Sequence, residues 1–169
     1  MLRLSLLLAG VLSLSTGVAD DASFDFMLGH WTSETSWMQP DQSILVTKGR
    51  HHFYRAFGGR GLIDDNQQVT DGSYAYTGSA IRTFVPSEAH WECRWYDGNA
   101  KRWGATFYLR PEDGIMTGTI PGSDQHGDYV DTITFDPKTR DHVSWQMERQ
   151  YRTLDRPMTI GTIEYRRVR

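Results

Sequence analysis

Cysteine is nearly absent from this chain: Cys93 is the single one in 169 residues. One cysteine excludes an internal disulfide, so packing and backbone hydrogen bonds must hold the fold. The chain has no paired cysteines to seat zinc, no glycine-x-serine-x-glycine elbow and no phosphate-binding glycine loop. Neither sign of charge dominates, with 18 Lys and Arg against 21 Asp and Glu and a net charge of −3. That balance gives no general attraction to nucleic acid or to anionic lipid. Internal repeats, low-complexity tracts and a helical apolar period are missing too.

The one long apolar run is N-terminal. Met1-Leu2-Arg3 is a short basic start, Leu4 to Val18 is apolar but interrupted by Ser and Gly, and Gly17-Val18-Ala19 places small residues at the cleavage positions. This pattern predicts a signal peptide over 1–19, removed on export, and a single mature domain over 20–169. The expected location is therefore periplasmic or secreted, with no stable membrane insertion. An uncleaved membrane anchor is the alternative. Loss of Arg3 takes the net charge from −3 to −4. A domain of about 150 residues buries about 70% of its unfolded surface, enough for one core.

What the chain does have is alternation. Apolar residues recur at spacing two, and Gly, Pro, Asn and Asp interrupt them about every 8 to 15 residues. Phe24 to Leu28 reads as an apolar plug, followed by a bend at Gly29. The expected strands are Trp31–Met38, Ile44–Phe57, Gly61–Asp64, Ser79–Val85, His90–Tyr96, Lys101–Arg110, Ile115–Ile120, Asp128–Phe135, His142–Tyr151 and Met158–Val168, with a brief extended piece at Gln67–Thr70. Asp64-Asp65-Asn66 and Asp71-Gly72 read as loops. Asp97-Gly98-Asn99 is a hairpin signal, and its apolar pattern favours a register with Trp95 opposite Trp103 and Trp91 opposite Phe107. About ten strands joined by short turns in chain order suit an all-β, up-and-down antiparallel barrel, whose closure removes exposed edges. A two-sheet sandwich is the alternative.

Gly29-His30-Trp31 at the head of the first strand, with Arg167 (or Arg166) in the last, resembles the pattern shared by calycins: lipocalins, fatty-acid-binding proteins and their relatives. The resemblance implies that the Trp31 indole closes one barrel end and that Arg167 packs over it, a structural role for Gly29, Trp31 and Arg167. The mature chain is also similar to a bacterial calycin-like family of unknown function. That likeness rests on Phe24-Asp25-Phe26, Leu28 to Trp31, Gly58-Gly59-Arg60-Gly61 before Asp64-Asp65-Asn66, Ile81 to Pro86, Trp91 and Trp95 with Asp97, and Trp145-Gln146. It implies a fold and carries no activity. Haem-binding relatives of the nitrobindin type continue from the tryptophan into a glycine-rich segment; here Thr32-Ser33-Glu34 follows, which disfavours haem, and no cofactor is expected.

Six tryptophans sit on strand faces that read as inward, Trp31, Trp37, Trp91, Trp95, Trp103 and Trp145. Indoles with a few polar groups make a wall for a flat or amphiphilic molecule, or they simply fill the barrel. Trp37, Trp91, Trp95, Trp103 and Trp145 are the candidate walls. Arg82 is the candidate anchor for a carboxylate or phosphate if it points inward, and a solvated strand residue if it does not. Asp131 and Arg149 each share a face with apolar residues, a costly placement unless they are paired. His51 and His52 are adjacent, so one of them at most enters the barrel and the two cannot share a metal ion. No metal site is expected. Asp131, His52 and Glu148 are the candidate proton carriers if the barrel is an isomerase or a hydrolase. The leading expectation is an exported binder of a small apolar or amphiphilic molecule. A barrel enzyme and a filled, structural envelope protein are the alternatives.

Overall fold

The computed structural model describes residues 23–70 and 73–169, with side chains left aside at 73–75. The expected signal peptide at 1–19 and the Asp71-Gly72 loop lie outside the described residues. A short 3-10 turn, Phe24–Met27, leads into ten strands. They are β1 (Gly29–Met38), β2 (Ile44–Ala56), β3 (Gly61–Thr70), β4 (Ser73–Val85), β5 (His90–Asp97), β6 (Arg102–Glu112), β7 (Ile115–Asp124), β8 (Gly127–Thr139), β9 (His142–Tyr151) and β10 (Met158–Arg167). Each strand pairs antiparallel with the next in sequence, and β10 returns to β1, from Trp31 opposite Arg167 to Trp37 opposite Gly161. The result is a closed, all-β antiparallel barrel with no sandwich split.

Strand pleating sends alternate residues inward. In β1 these are Trp31, Ser33, Thr35 and Trp37, and in β2 Thr47, Gly49, His51 and Phe53. The closed end is built first. Phe24 and Met27 are buried against Trp31, Phe53 and Trp91. Phe24 meets Trp91 and Phe135 edge-on, with ring centroids 5.3 Å apart in both pairs. The Trp31 indole N–H donates to the Met27 carbonyl at 2.6 Å, so the plug satisfies the polar atom it buries. Gly29 has φ 113°, a left-handed backbone that an L side chain resists, and an added Cβ would lie 3.0 Å from the Arg167 guanidinium. Arg167 places its guanidinium carbon 4.1 Å from the Trp31 ring centroid and donates to the Phe26, Leu28 and Arg140 carbonyls.

Three local expectations change. Asp64-Asp65-Asn66 is strand interior, within a continuous β3, because Asp64 and Asn66 find polar partners inside the barrel. Outward-facing Asp65 accepts from Ser79 and Tyr54. Tertiary partners thus override a turn-like triplet. The strands β7 and β8 run on past Pro121 and Pro137, and a register shift follows Pro137. Lastly, a bulge between Arg94 and Tyr96 sets Tyr96, and not Trp95, opposite Trp103, while Trp91 faces Leu109 in place of Phe107.

One seam is short. β6 and β7 pair only from Arg110↔Thr117 to Glu112↔Ile115, whereas β7 and β8 pair along the whole of β7's outer half, to Asp124↔Gly127. Away from the closed end the wall beside β6 is therefore open.

Candidate functional site

The barrel encloses a cavity of about 570 Å³, within the range of small-molecule sites. Its mouth half is walled by Trp37, Trp95 and Trp145 together with Tyr76, Ile120 and Met147. Trp37 meets Trp145 edge-on at 5.5 Å, and Tyr76 stacks on Trp95 at 5.6 Å. Glycines make room for these rings. A Cβ at Gly161 would lie 2.5 Å from the Trp37 ring, and one at Gly78 would lie 2.1 Å from the Trp95 ring. Gly104 and Ala105 on β6 line the cavity and are exposed, which puts its opening at the unpaired part of the β6–β7 seam.

The deep half is polar. Arg82 points inward and is 4% exposed. Three aromatic faces hold its guanidinium, Phe24 at 5.4 Å, Phe53 at 5.6 Å and Phe135 at 5.5 Å. The nearest carboxylate is loose, with Arg82 Nη2 3.9 Å from Asp64 Oδ2. Arg82 Nε and Nη1 have no hydrogen-bond partner. Asp64 gives its other oxygen to His51, Nδ1 to Oδ1 at 3.1 Å. His51 Nε2 in turn lies 3.0 Å from the Ser33 hydroxyl and 3.2 Å from Gln68 Nε2. Gln68 accepts from Thr47 at 2.9 Å and donates to Asn66 at 3.3 Å. Tyr165 packs edge-on to His51, 4.9 Å between centroids. Burial, with Asp64 nearby, pushes its phenol well above the usual range and outweighs the opposing pull of Arg82, so it stays a neutral O–H donor.

Of the residues expected at the site, Trp37, Trp95, Trp145 and Arg82 share this cavity. Trp91 is inward but belongs to the closed end, beneath Phe24 and Phe84. Trp103 is corrected to the outer face. It is 44% exposed and packs on Tyr96 and Arg94, because an extra β6 residue at Gly104-Ala105, opposite Trp95, flips the parity of that strand. His52 is corrected as well: it faces outward and stacks on His30 at 4.1 Å, and His51 is the residue that enters. Parity with Phe53 carried that information. Glu148 alternates with inward Trp145 and Met147 and sits on the outer face. Asp131 is buried, and Arg149 engages it by two hydrogen bonds at 2.7 and 2.8 Å. This is a closed pair near the mouth, with Arg149 also stacked 3.6 Å from the Tyr129 centroid and donating to Asp124 at 3.2 Å. Among the described residues no group of three or more His, Cys, Asp or Glu is placed to hold a metal ion.

The Ser33–His51–Asp64 set, with Asn66, Gln68 and Tyr165, was not singled out from sequence. The three come from β1, β2 and β3, and only the barrel brings them together. Their signal was modest: Ser33 lies two residues from Trp31, on the same face.

No protein-family model matches the chain, and no curated protein does. Among solved structures it is similar to the S-type phycobiliprotein lyase CPES from Guillardia theta, with a TM-score of 0.60 and 9% identity over 86% of this chain and 90% of that one. The shared feature is the fold, a calycin-like antiparallel barrel.

Proposed function

We propose that this protein binds a small, largely apolar molecule non-covalently inside its barrel. The observation that carries the reading is the 570 Å³ cavity, with three indoles at its mouth half and a buried arginine at its floor. An empty interior of this size is at odds with a filled, purely structural barrel. The resemblance to an S-type phycobiliprotein lyase supports the barrel architecture alone. The Gly29-x-Trp31 head and Arg167 support membership of a bacterial calycin-like family of unknown function, and the 1–19 pattern supports export with a mature chain from Asp20. Native mass spectrometry of the protein purified from its source cells tests both points: a retained small mass and an N-terminus at Asp20 are expected. Repeated absence of a bound mass, with no tryptophan-fluorescence response to a panel of lipid and aromatic ligands, would remove the binding reading.

A second reading, a barrel hydrolase, is favoured by one observation. Ser33, His51 and Asp64 have the spacing of a hydroxyl, its general base and the carboxylate that orients the base. In that role His51 takes the Ser33 Oγ proton as the oxygen attacks an ester carbonyl, and returns it to the leaving alcohol. Ser33 does not line the cavity; Gln68, which does, lies against it. Labelling of Ser33 by a fluorophosphonate in the wild type, lost in His51→Asn, is the result that supports hydrolysis. Absence of labelling leaves the set as a hydrogen-bonded floor.

A further inference from the structure

The floor of the cavity has a charge and hydrogen-bond imbalance. Among the described residues, five buried side-chain atoms have no hydrogen-bond partner, and three of them belong to two residues that line this one cavity: Thr35 Oγ1, Arg82 Nε and Arg82 Nη1. A guanidinium that is 96% buried ordinarily spends its N–H groups on a carboxylate or on backbone carbonyls, because an unsatisfied buried charge is expensive. Arg82 does neither. Its position is set by Phe24, Phe53 and Phe135. Asp64 stands at 3.9 Å with Oδ1 already committed to His51. The contrast with Arg149 is direct: that arginine sits in the same barrel and closes on Asp131 at 2.7 and 2.8 Å. One internal arginine is neutralised by the fold. The other is held open, with rings below it and cavity above.

We infer that Arg82 is a receptor for an oxyanion, and that the ligand is an amphiphile bound head-first, its single anionic group (carboxylate, sulfonate or phosphate ester) at Arg82 and its apolar body between Trp37, Trp95 and Trp145. This rests on the barrel-binder reading above and adds the head-group class and the orientation. Tyr165, across the same cavity on β10, supports it as a neutral hydroxyl, and Thr35 supplies a further hydroxyl without a partner. Among the described residues the cavity lining holds no carboxylate for a cationic head, and Asp64 beneath it is buried and engaged by His51. The indoles lie toward the mouth, where a tail threaded past them is still in contact with protein up to the β6 opening.

The test compares two fluorescent probes with the same aromatic body, anilinonaphthalene sulfonate and the neutral N-phenylnaphthylamine, on the full chain and on Arg82→Gln and Arg82→Lys. The wild type is expected to bind the sulfonate about tenfold or more tightly than the neutral probe, since hydrogen bonds to a charged group are worth that much. Arg82→Gln is expected to abolish the preference, lowering affinity for the sulfonate far more than for the neutral probe, and Arg82→Lys to restore part of it. Equal binding of the two probes by the wild type overturns the inference while leaving the barrel-binder reading intact. So does an equal loss of both in a folded Arg82→Gln protein. Binding of neither probe overturns the barrel-binder reading itself. If Arg82→Gln does not fold, competition on the wild type decides. Dodecanoate should displace the neutral probe at concentrations where dodecanol does not, and equal displacement by the two is fatal. Displacement by inorganic phosphate at the same concentration would assign the site to a free oxyanion and overturn the amphiphile.

Discussion

Arg149 and Asp131 face each other across β9 and β8 and are joined by two parallel N–H···O bonds, Nε to Oδ1 at 2.7 Å and Nη2 to Oδ2 at 2.8 Å. Asp131 is buried, so its charge depends on this partner. Hydrogen bonding to Asp131 is also the largest influence on Arg149, and it holds the guanidinium protonated against the cost of burial. Replacing Asp131 by Ala is expected to cost about 3 kcal/mol, the usual penalty for breaking a buried pair on one side. The double replacement Asp131→Leu, Arg149→Met should recover most of that loss. Urea unfolding of the wild type and the two variants checks it; a double variant no more stable than Asp131→Ala would show that the two do not act as a pair.

The Trp31–Arg167 contact should be a second centre of stability. Arg167 combines a ring contact at 4.1 Å with hydrogen bonds to carbonyls of the plug, the Phe26 one at 2.8 Å. Arg167→Met keeps the chain's length over the ring and removes the donors. It is expected to lower stability by about 2 kcal/mol, while Arg167→Lys recovers only part, because one ammonium cannot reach several carbonyls in a plane. Thermal unfolding of the two variants, with Trp31→Phe to complete a cycle, measures the coupling.

The mouth indoles depend on glycines opposite them. Gly161→Ala is expected to displace Trp37, since the new Cβ would lie 2.5 Å from its ring, and to shift tryptophan emission and weaken ligand binding severalfold. Trp103→Phe should change neither ligand affinity nor the cavity, because Trp103 lies outside on Arg94 at 5.2 Å. A drop in affinity with Trp103→Phe would contradict the outward placement.

Cys93 is fully buried, and desolvation pushes its thiol up to about 12, with Arg82 pulling the other way and Glu92 adding a little. The thiolate is the reactive form. Native protein should therefore leave a disulfide exchange reagent unreacted at pH values up to about 9, and should release one equivalent of chromophore only after unfolding in denaturant. Fast reaction of the native state would mean that this part of the wall opens.

Acid should weaken the mouth. The Asp124 carboxyl is held below its usual range, first by the Tyr151 hydroxyl at 2.7 Å and then by the His126 backbone N–H at 2.8 Å, with His126 and Arg149 adding charge. A depressed folded-state value means that stabilisation is present above the ordinary carboxylate range of about 4 and is lost as pH falls through the folded value. The stability difference between wild type and Asp124→Asn should thus be largest near neutrality and close as pH falls. A gap that widens on acidification would reverse the assignment.

Alternation, turn residues and the lack of a cysteine pair were enough to read ten strands, their order and a closed barrel, because period-two burial and short connections leave few other ways to bury one face of every strand. The plug, the inward tryptophans on β1, β5 and β9 and the outward polar faces were legible for the same reason. Parity failed where one residue was added. The extra β6 residue at Gly104-Ala105, opposite Trp95, turned Trp103 outward, and Gly104 inside the strand was its one local signal. The histidine pair was legible in principle: His51 shares parity with Phe53, and the structure puts both inside while His52 faces out. What the tertiary structure alone decided was which charges are neutralised. Asp131 meets Arg149, Asp64 turns to His51, which also meets Ser33, and Arg82 is left among aromatic rings with two N–H groups unpaired. Those pairings join residues on different strands, and whether two buried charges meet depends on distances of a few ångströms that closure and register set and that no local pattern encodes.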